Sequence, residues 1–222
     1  MLYDFPTIIV DRFFKDPQSV RDLGLSLEFK KSEIARFSGK RTDSLHLTHP
    51  TFFRDVCNKI FNCYSLPVAD FDASLHFHIT GEEFGQSGWV HTDNAPEAGP
   101  GFATLIYLGP QDGEFGTTLY RLSNLNYDQN DKSVEILRQT FMTGVDCISE
   151  KEKYNSRYME TIKINNVFNR MISYDNRHPH AAAGYYGNTK NSMRLTLLAF
   201  FYQVKTEYNN YPLKRADLLS AI

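Results

Sequence analysis

Residues 88–108, GWVHTDNAPEAGPGFATLIYL, join a His-Thr-Asp triplet at 91–93 to a nearly continuous apolar run at 102–108. A run that short, opened by Gly101, reads as a buried strand rather than a helix. Residues two apart on an extended segment project from the same face, so His91 and Asp93 can grip one ion if the chain is extended there. Gly85, Gly88, Gly99 and Gly101 predict loops on both sides, which leaves the pair at a strand end beside an open mouth. Taken alone, His-x-Asp is half of a metal site or an ordinary polar loop.

Further strands surround this stretch. Residues 72–80, DASLHFHIT, alternate: Leu75, Phe77 and Ile79 point one way, Ser74, His76 and His78 the other. That pattern places His76 and His78 on a sheet surface, or else lining a pocket. Residues 5–10, 113–121, 161–164, 170–174 and 195–204 also read as strands. Asp16-Pro17 reads as an N-cap and first helical residue, with Val20, Leu23 and Leu27 following at helical spacing. His49-Pro50 opens a second helix with Phe53, Val56, Ile60 and Phe61 on its apolar side. His46 and His49 read as loop and helix-start residues, and residues 131–141 read as a helix with Val134, Leu137 and Phe141 inward.

Helices first, then many short strands with one helical insertion, predict an α+β protein built on an antiparallel sandwich or jelly roll. No repeat or linker interrupts the 222 residues, so the reading is one domain over 1–222. Residues 1–70 form a helix-rich support, and 71–205 a β core with a helical insertion near 129–142. The 17 Phe and 13 Tyr favour packed sheet over a helical bundle. A formal net charge of −2 supplies no broad basic face, so no nucleic-acid partner is indicated. Cys57, Cys63 and Cys147 are too few and too scattered for a disulfide framework or a thiolate metal site, and free thiols suit a reducing compartment. With no signal-like start and no apolar stretch near the roughly 20 residues of a membrane span, a soluble cytoplasmic protein is expected. The basic run at 30–41, with Lys30, Lys31, Arg36, Lys40 and Arg41, reads as a solvated charged loop, or as a surface attracting an acidic substrate.

The second half completes the His-Asp pair. Residues 171–187, MISYDNRHPHAAAGYYG, carry His178 and His180 shortly after a strand, and either can supply a second imidazole. Residues 193–204, MRLTLLAFFYQV, then place Arg194 at the start of an otherwise apolar strand. Burying an unpaired charge costs several kcal/mol, so an anion is expected to meet that guanidinium. Two imidazoles and one carboxylate on one triangular face of an octahedron leave three positions open, an arrangement suited to non-haem Fe(II) oxygenases.

In this order, HTD, TLIYLG, GTTLY, RHPH and RLTLLAFF, the chain resembles the Fe(II)- and 2-oxoglutarate-dependent dioxygenases, particularly their prolyl-hydroxylase-like branch. The resemblance spans about residues 74–202. It implies a double-stranded β-helix in which His91, Asp93 and His180 bind iron. His180 is preferred over His178 because the proline-histidine pair before the small run 181–183 matches the family pattern. Arg194 is implied to salt-bridge the distal carboxylate of 2-oxoglutarate, with the Tyr107 hydroxyl on the same carboxylate, and Thr196, two residues after Arg194, can support it. The implied reaction uses dioxygen, hydroxylates a small-molecule or peptide substrate and releases succinate and CO2. Two departures stand out: a longer interval between His180 and Arg194, expected to form an extended hairpin, and Phe115-Gly116 where the family has paired glycines. Trp89, the single tryptophan, reads as a core residue or as part of the entrance. Rival readings are a cupin-type metal-binding module or oxygenase that does not use 2-oxoglutarate, a zinc hydrolase on the same three ligands, and a non-catalytic protein that retains the fold. No membrane partner is indicated, and the sequence does not set the oligomeric state.

Overall fold

The computed structural model describes residues 5–31, 38–65, 68–85, 87–93, 101–123 and 148–206. Asp16 caps the first helix, α1 (Pro17–Ser26), its carboxylate accepting the Ser19 amide at 3.1 Å while Pro17 pre-sets the first turn. Val20 is buried, and Leu23 and Leu27 pack beside it on the apolar core. Gly24 marks the closest approach of α1 to the sheet: a Cβ there would stand 2.6 Å from the Phe77 ring. A short helix, α2 (Leu45–Thr48), precedes α3 (Pro50–Cys63). His46 therefore lies inside a helical turn instead of the expected loop. On α3, Val56, Ile60 and Phe61 are buried, and Phe53 packs against the same cluster.

The strands are β1 (Ile8–Val10), β2 (Lys40–Arg41), β3 (Val68–Thr80), β4 (Phe102–Tyr107), β5 (Gly113–Leu122), β6 (Tyr158–Asn166), β7 (Met171–Asp175), β8 (His180–Ala182) and β9 (Arg194–Thr206). They form an antiparallel six-stranded sheet, ordered β1-β7-β4-β9-β3-β2, and a three-stranded sheet, β6-β5-β8. Ala103, Tyr107, Leu119, Ile164, Ile172 and Tyr174, drawn from both sheets, pack together and mark the space between them. The opposite face of the larger sheet carries Phe77, Phe102, Leu197 and Phe201 against the helices. This is the double-stranded β-helix with flanking helices, a jelly-roll core of the α+β class.

Because helices cover one face of the larger sheet and the second sheet covers the other, the middle of the sheet has no fully exposed side. The alternation of β3 was readable, but its second face is the barrel interior. His78 stands opposite Thr196, and His76 opposite Leu198. Both histidines are half-buried there, so the sheet-surface expectation for them is corrected. Along β9 the same parity sends Leu195, Leu197, Ala199 and Phe201 to the helices and Arg194, Thr196, Leu198 and Phe200 inward.

Residues 183–193 do not form the expected extended hairpin. β8 belongs to the smaller sheet and β9 to the larger, so the segment crosses from one sheet to the other. It is pinned by the Glu82 amide donating to the Gly187 carbonyl at 2.9 Å and by Arg21, whose Nη2 donates to the Asn191 carbonyl at 2.7 Å. The same guanidinium donates through Nη1 to the Leu108 carbonyl, which ties α1 to the end of β4. A further helix, α4 (Ile148–Asn155), precedes β6. The helix expected within 129–142 lies outside the described residues, as does Cys147. No helix among the described residues is long and apolar enough to cross a membrane.

Candidate metal centre

Two segments far apart in the chain meet at the open end of the barrel. His91 and His180 face each other as a backbone pair: the His91 amide donates to the His180 carbonyl at 2.9 Å, and the His180 amide to the His91 carbonyl at 2.8 Å. Such reciprocal bonding fixes two antiparallel residues directly opposite one another. Two residues on, the Asp93 amide donates to the Asn176 carbonyl at 2.9 Å, which keeps its carboxylate on the same side. One ligand atom from each of His91, Asp93 and His180 lies within 4.8 Å of the others. Nε2 of His180 is 3.4 Å from Asp93 Oδ2, and Nε2 of His91 is 3.8 Å from Asp93 Oδ1.

Both imidazoles are oriented in the same way. Nδ1 of His91 contacts the Trp89 carbonyl at 2.8 Å, and Nδ1 of His180 contacts the His178 carbonyl at 2.9 Å. A carbonyl oxygen only accepts, so Nδ1 carries the proton in each ring and Nε2 is left to face the acid and any ion. Such a backing hydrogen bond is the usual means of orienting a metal-bound histidine. His178 supplies that backing through its carbonyl and is not one of the three clustered groups. Its amide closes a turn by donating to the Asp175 carbonyl at 2.8 Å, and the turn separates it from the strand on which His180 sits. The turn is itself held by Asp175, fully buried and paired with Arg177 at 2.8 Å.

Electrostatics favour a shared cation. Burial alone would raise the Asp93 carboxyl, but the charge of the neighbouring His180 holds it below the usual range. Burial alone would lower His180, and Asp93 overrides it and raises the imidazole. Desolvation and then the neighbouring His180 hold His91 below its ordinary value, although 51% of its side chain faces the open mouth. Asp93 Oδ2 is buried, yet it accepts no hydrogen bond from any described residue. Metal–nitrogen bonds of about 2.1 Å at right angles would put ligand atoms about 3 Å apart. The three groups are therefore slightly splayed around a space that an ion would draw closed. A separate cavity of about 350 Å³, lined by Phe29, Lys40, Ile79 and Met193 among others, includes none of the three.

Deeper in the barrel, Arg194 is 3% exposed. Its Nε donates to the Phe115 carbonyl at 2.9 Å and its Nη2 to that of Gly116 at 3.4 Å, and no carboxylate among the described residues pairs with it. The guanidinium carbon stands 5.4 Å from the centre of the Tyr107 ring. Tyr107 is fully buried and donates its hydroxyl to Thr117 Oγ1 at 2.8 Å. Thr196 is cross-strand partner to both Tyr107 and His78, so it shares their face, and its buried Oγ1 has no hydrogen-bond partner among the described residues. Thr80, opposite Arg194 on β3, is in the same position. A cation flanked by orphaned hydroxyls matches the outline of a carboxylate.

Sequence reading passed over Asn155, at the end of α4. Its Oδ1 accepts the Val90 amide and its Nδ2 donates to the Gly88 carbonyl, both at 3.0 Å, so one side chain copies a strand edge and holds the segment that ends in His91. Trp89 is half-buried within this segment, its ring centre 5.7 Å from that of Tyr154 on the same helix. Asn155→Ala is expected to weaken Ni(II) binding by about 10- to 100-fold, the usual scale for losing a group that orients a ligand. Chelator competition measures it, and a melting temperature that falls without any loss of Ni(II) affinity would assign Asn155 to folding alone.

With the geometry in place, the chain can be compared with known proteins. The fold is that of the 2-oxoglutarate/Fe(II) oxygenases. EvdO2 from Micromonospora carbonacea var. aurantiaca superposes with a TM-score of 0.55 at 13% identity, over 94% of this chain and 91% of that one. SnoK, a non-haem α-ketoglutarate-dependent carbocyclase from nogalamycin biosynthesis, gives 0.53 at 12% identity, over 99% and 87%. HygX from Streptomyces hygroscopicus, with nickel and 2-oxoglutarate bound, gives 0.52 at 11% identity, over 89% and 82%. No curated protein matches the sequence. The chain belongs to a family of unknown function (DUF6445), whose model matches residues 4–201.

Proposed function

We propose that this chain, as one domain, is a non-haem Fe(II)- and 2-oxoglutarate-dependent oxygenase that hydroxylates a small-molecule or peptide substrate. The observation that carries the reading is the convergence of His91, Asp93 and His180 at the barrel mouth, with Arg194 buried behind them. The donor set suits the metal: two imidazoles that turn Nε2 toward the acid and one carboxylate, with Asp93 Oδ2 buried and unsatisfied where an ion would be held. Held by His91, Asp93 and His180, Fe(II) with 2-oxoglutarate would supply dioxygen activation, one oxygen atom passing to the substrate and the other to succinate as CO2 is lost.

The side chains themselves position and balance charge. Asp93 offsets part of the dication, and the two Nδ1–H bonds keep the imidazoles aimed at it. Arg194 receives the distal carboxylate of 2-oxoglutarate and Thr196 donates its free hydroxyl to it. The Tyr107 hydroxyl, which donates to Thr117 Oγ1, redirects its hydrogen to the same carboxylate, so Thr117 joins the anchor. Fixing a reactant's orientation in this way is the protein's principal contribution in a cofactor site. The bound 2-oxoglutarate and nickel of HygX fit the same assignment. The free thiols of Cys57 and Cys63 suit a reducing compartment such as the cytoplasm.

Anaerobic addition of Fe(II) and 2-oxoglutarate to the protein tests the reading. A weak visible charge-transfer band is expected only when both are present, and admission of oxygen should then release succinate. Metal binding without that band and without succinate would favour a metal-binding cupin-type module and overturn the oxygenase.

A further inference from the structure

The smaller sheet changes character level with the proposed metal ligands. Ile162 on β6 pairs with Leu119 on β5, Leu119 with His180 on β8, and His180 with His91. One row of side chains therefore runs from the edge strand to the metal centre. Residues directly opposite one another share a face, and Leu119 packs in the same cluster as Tyr107, so this face is the barrel interior. Strands lie about 4.8 Å apart, which puts Ile162 roughly 10 Å from His180 along the sheet. One inward position deeper on β6, Ile164 is 3% exposed, whereas Ile162 is 42% exposed. β6 is the outermost strand of its sheet, and no strand lies beyond it among the described residues.

Met159 continues the wall outward through a break in register. Leu119 faces Ile162 but Tyr120 faces Glu160, which leaves Thr161 as an extra residue on β6. Its hydroxyl donates to the Leu119 carbonyl at 2.9 Å and holds the bulge. One inserted residue reverses which of the following side chains face inward. Met159, opposite Arg121, therefore points to the barrel mouth with Ile162, and Arg121 Nη2 contacts its sulfur at 3.3 Å. Glu160 and Lys163 point outward, where Lys163 pairs with Glu114 at 2.7 Å. Without the bulge, Glu160 would take the inward place. The charged side chains of β6 thus lie on its outer face, while the inward face ends in two apolar side chains, Ile162 and the 46% exposed Met159.

We propose that Ile162 and Met159 form the subsite for an uncharged apolar group, aliphatic or aromatic, of the primary substrate. Two side chains fall far short of the about 800 Å² that each partner buries in a stable protein interface. Their row runs into His180 and His91, so a group that covers them lies beside the metal. The stiff branched side chain of Ile162 and the adaptable thioether of Met159 together fit an irregular apolar surface. This deepens the oxygenase reading and rests on it, since the wall serves a substrate only if the other end of the row holds the metal.

The test uses the full chain with saturating 2-oxoglutarate and either Mn(II) or diamagnetic Zn(II). Two neutral probes, 4-fluorobenzyl alcohol and 4,4,4-trifluorobutan-1-ol, are titrated and their fluorine linewidths followed. A probe held beside the metal broadens with Mn(II) and not with Zn(II), and at least one should do so saturably; which one does distinguishes aromatic from aliphatic. The double variant Ile162→Asn with Met159→Asn should weaken that probe fivefold or more while Mn(II) and 2-oxoglutarate affinities stay within twofold. Leu47→Asn, an equally conservative change at an exposed leucine of α2, should leave probe binding unchanged. Absence of Mn(II)-dependent broadening for both probes overturns the proposal, as does equal broadening in the wild type and the double variant. An equal loss in Leu47→Asn also overturns it. Should the double variant not fold, the Met159 methyl resonance, identified by its loss in Met159→Asn, must move when a probe is added to the wild type, and an unmoved resonance overturns the proposal. If the wild type fails to take up 2-oxoglutarate with metal, the oxygenase reading fails. The Met159 resonance then still decides whether the wall binds an apolar group.

Discussion

His180→Ala should lose tight metal binding, whereas His178→Ala should retain it. His180 presents Nε2 to Asp93 at 3.4 Å, while His178 contributes its backbone carbonyl, which an alanine keeps. Removing a ligand should cost more than the roughly 10- to 100-fold that follows loss of an orienting partner. His91→Ala and Asp93→Ala should behave like His180→Ala. The measurement is Mn(II) or Ni(II) affinity by calorimetry, with the melting temperature followed in parallel. That control matters because breaking a buried ion pair can destabilise a fold by about 3–5 kcal/mol, and Asp93 is buried against His180. The reverse ranking, with His178→Ala losing metal and His180→Ala keeping it, would dismantle the assignment of this centre.

Arg194→Ala should leave metal binding nearly intact and remove most of the affinity for 2-oxoglutarate. Truncating one member of a buried, hydrogen-bonded charge pair typically costs about 2–5 kcal/mol, roughly 30- to several-thousand-fold. Arg194 also donates to the Phe115 and Gly116 carbonyls, so some loss of stability is expected alongside. Arg194→Lys separates the two effects, since it keeps the charge but not the fork, and should fall between wild type and alanine. Titration of 2-oxoglutarate into Mn(II)-loaded protein reads both variants. Unchanged affinity in Arg194→Ala would mean that the co-substrate, if used at all, is anchored elsewhere.

The alternation of β3, the cap at Asp16 and the apolar run of β4 were all legible, because each is set by neighbours a few residues away. What the larger sheet packs against was not. Parity separates Leu75, Phe77 and Ile79 from His76 and His78, but it does not say that a second sheet covers the histidines. The spacing of His91, Asp93, His180 and Arg194 was readable only as an ordered set, since their meeting depends on strand order. Asn155 left no trace: it lies in ISEKEKYN, a segment without an apolar face, and acts on backbone atoms some 65 residues earlier in the chain. Thr80 and Thr117 were hidden for another reason, because threonine suits any strand and its hydroxyl gains meaning only from what faces it. Arg41 was hidden among exposed basic neighbours, and only its pairing opposite His78 turns it inward.

The reciprocal amide–carbonyl pair between His91 and His180 has a bearing on how the centre would be filled and emptied. The two imidazoles are brought together by main-chain amide–carbonyl bonds to which no ligand atom contributes. Stripping with a chelating agent and reloading should therefore be local and reversible, unlike a zinc finger, whose chain unfolds when its ion departs. Exchange of one divalent ion for another would then be governed by side-chain donors and the supply of ions, with the scaffold indifferent to which one arrives.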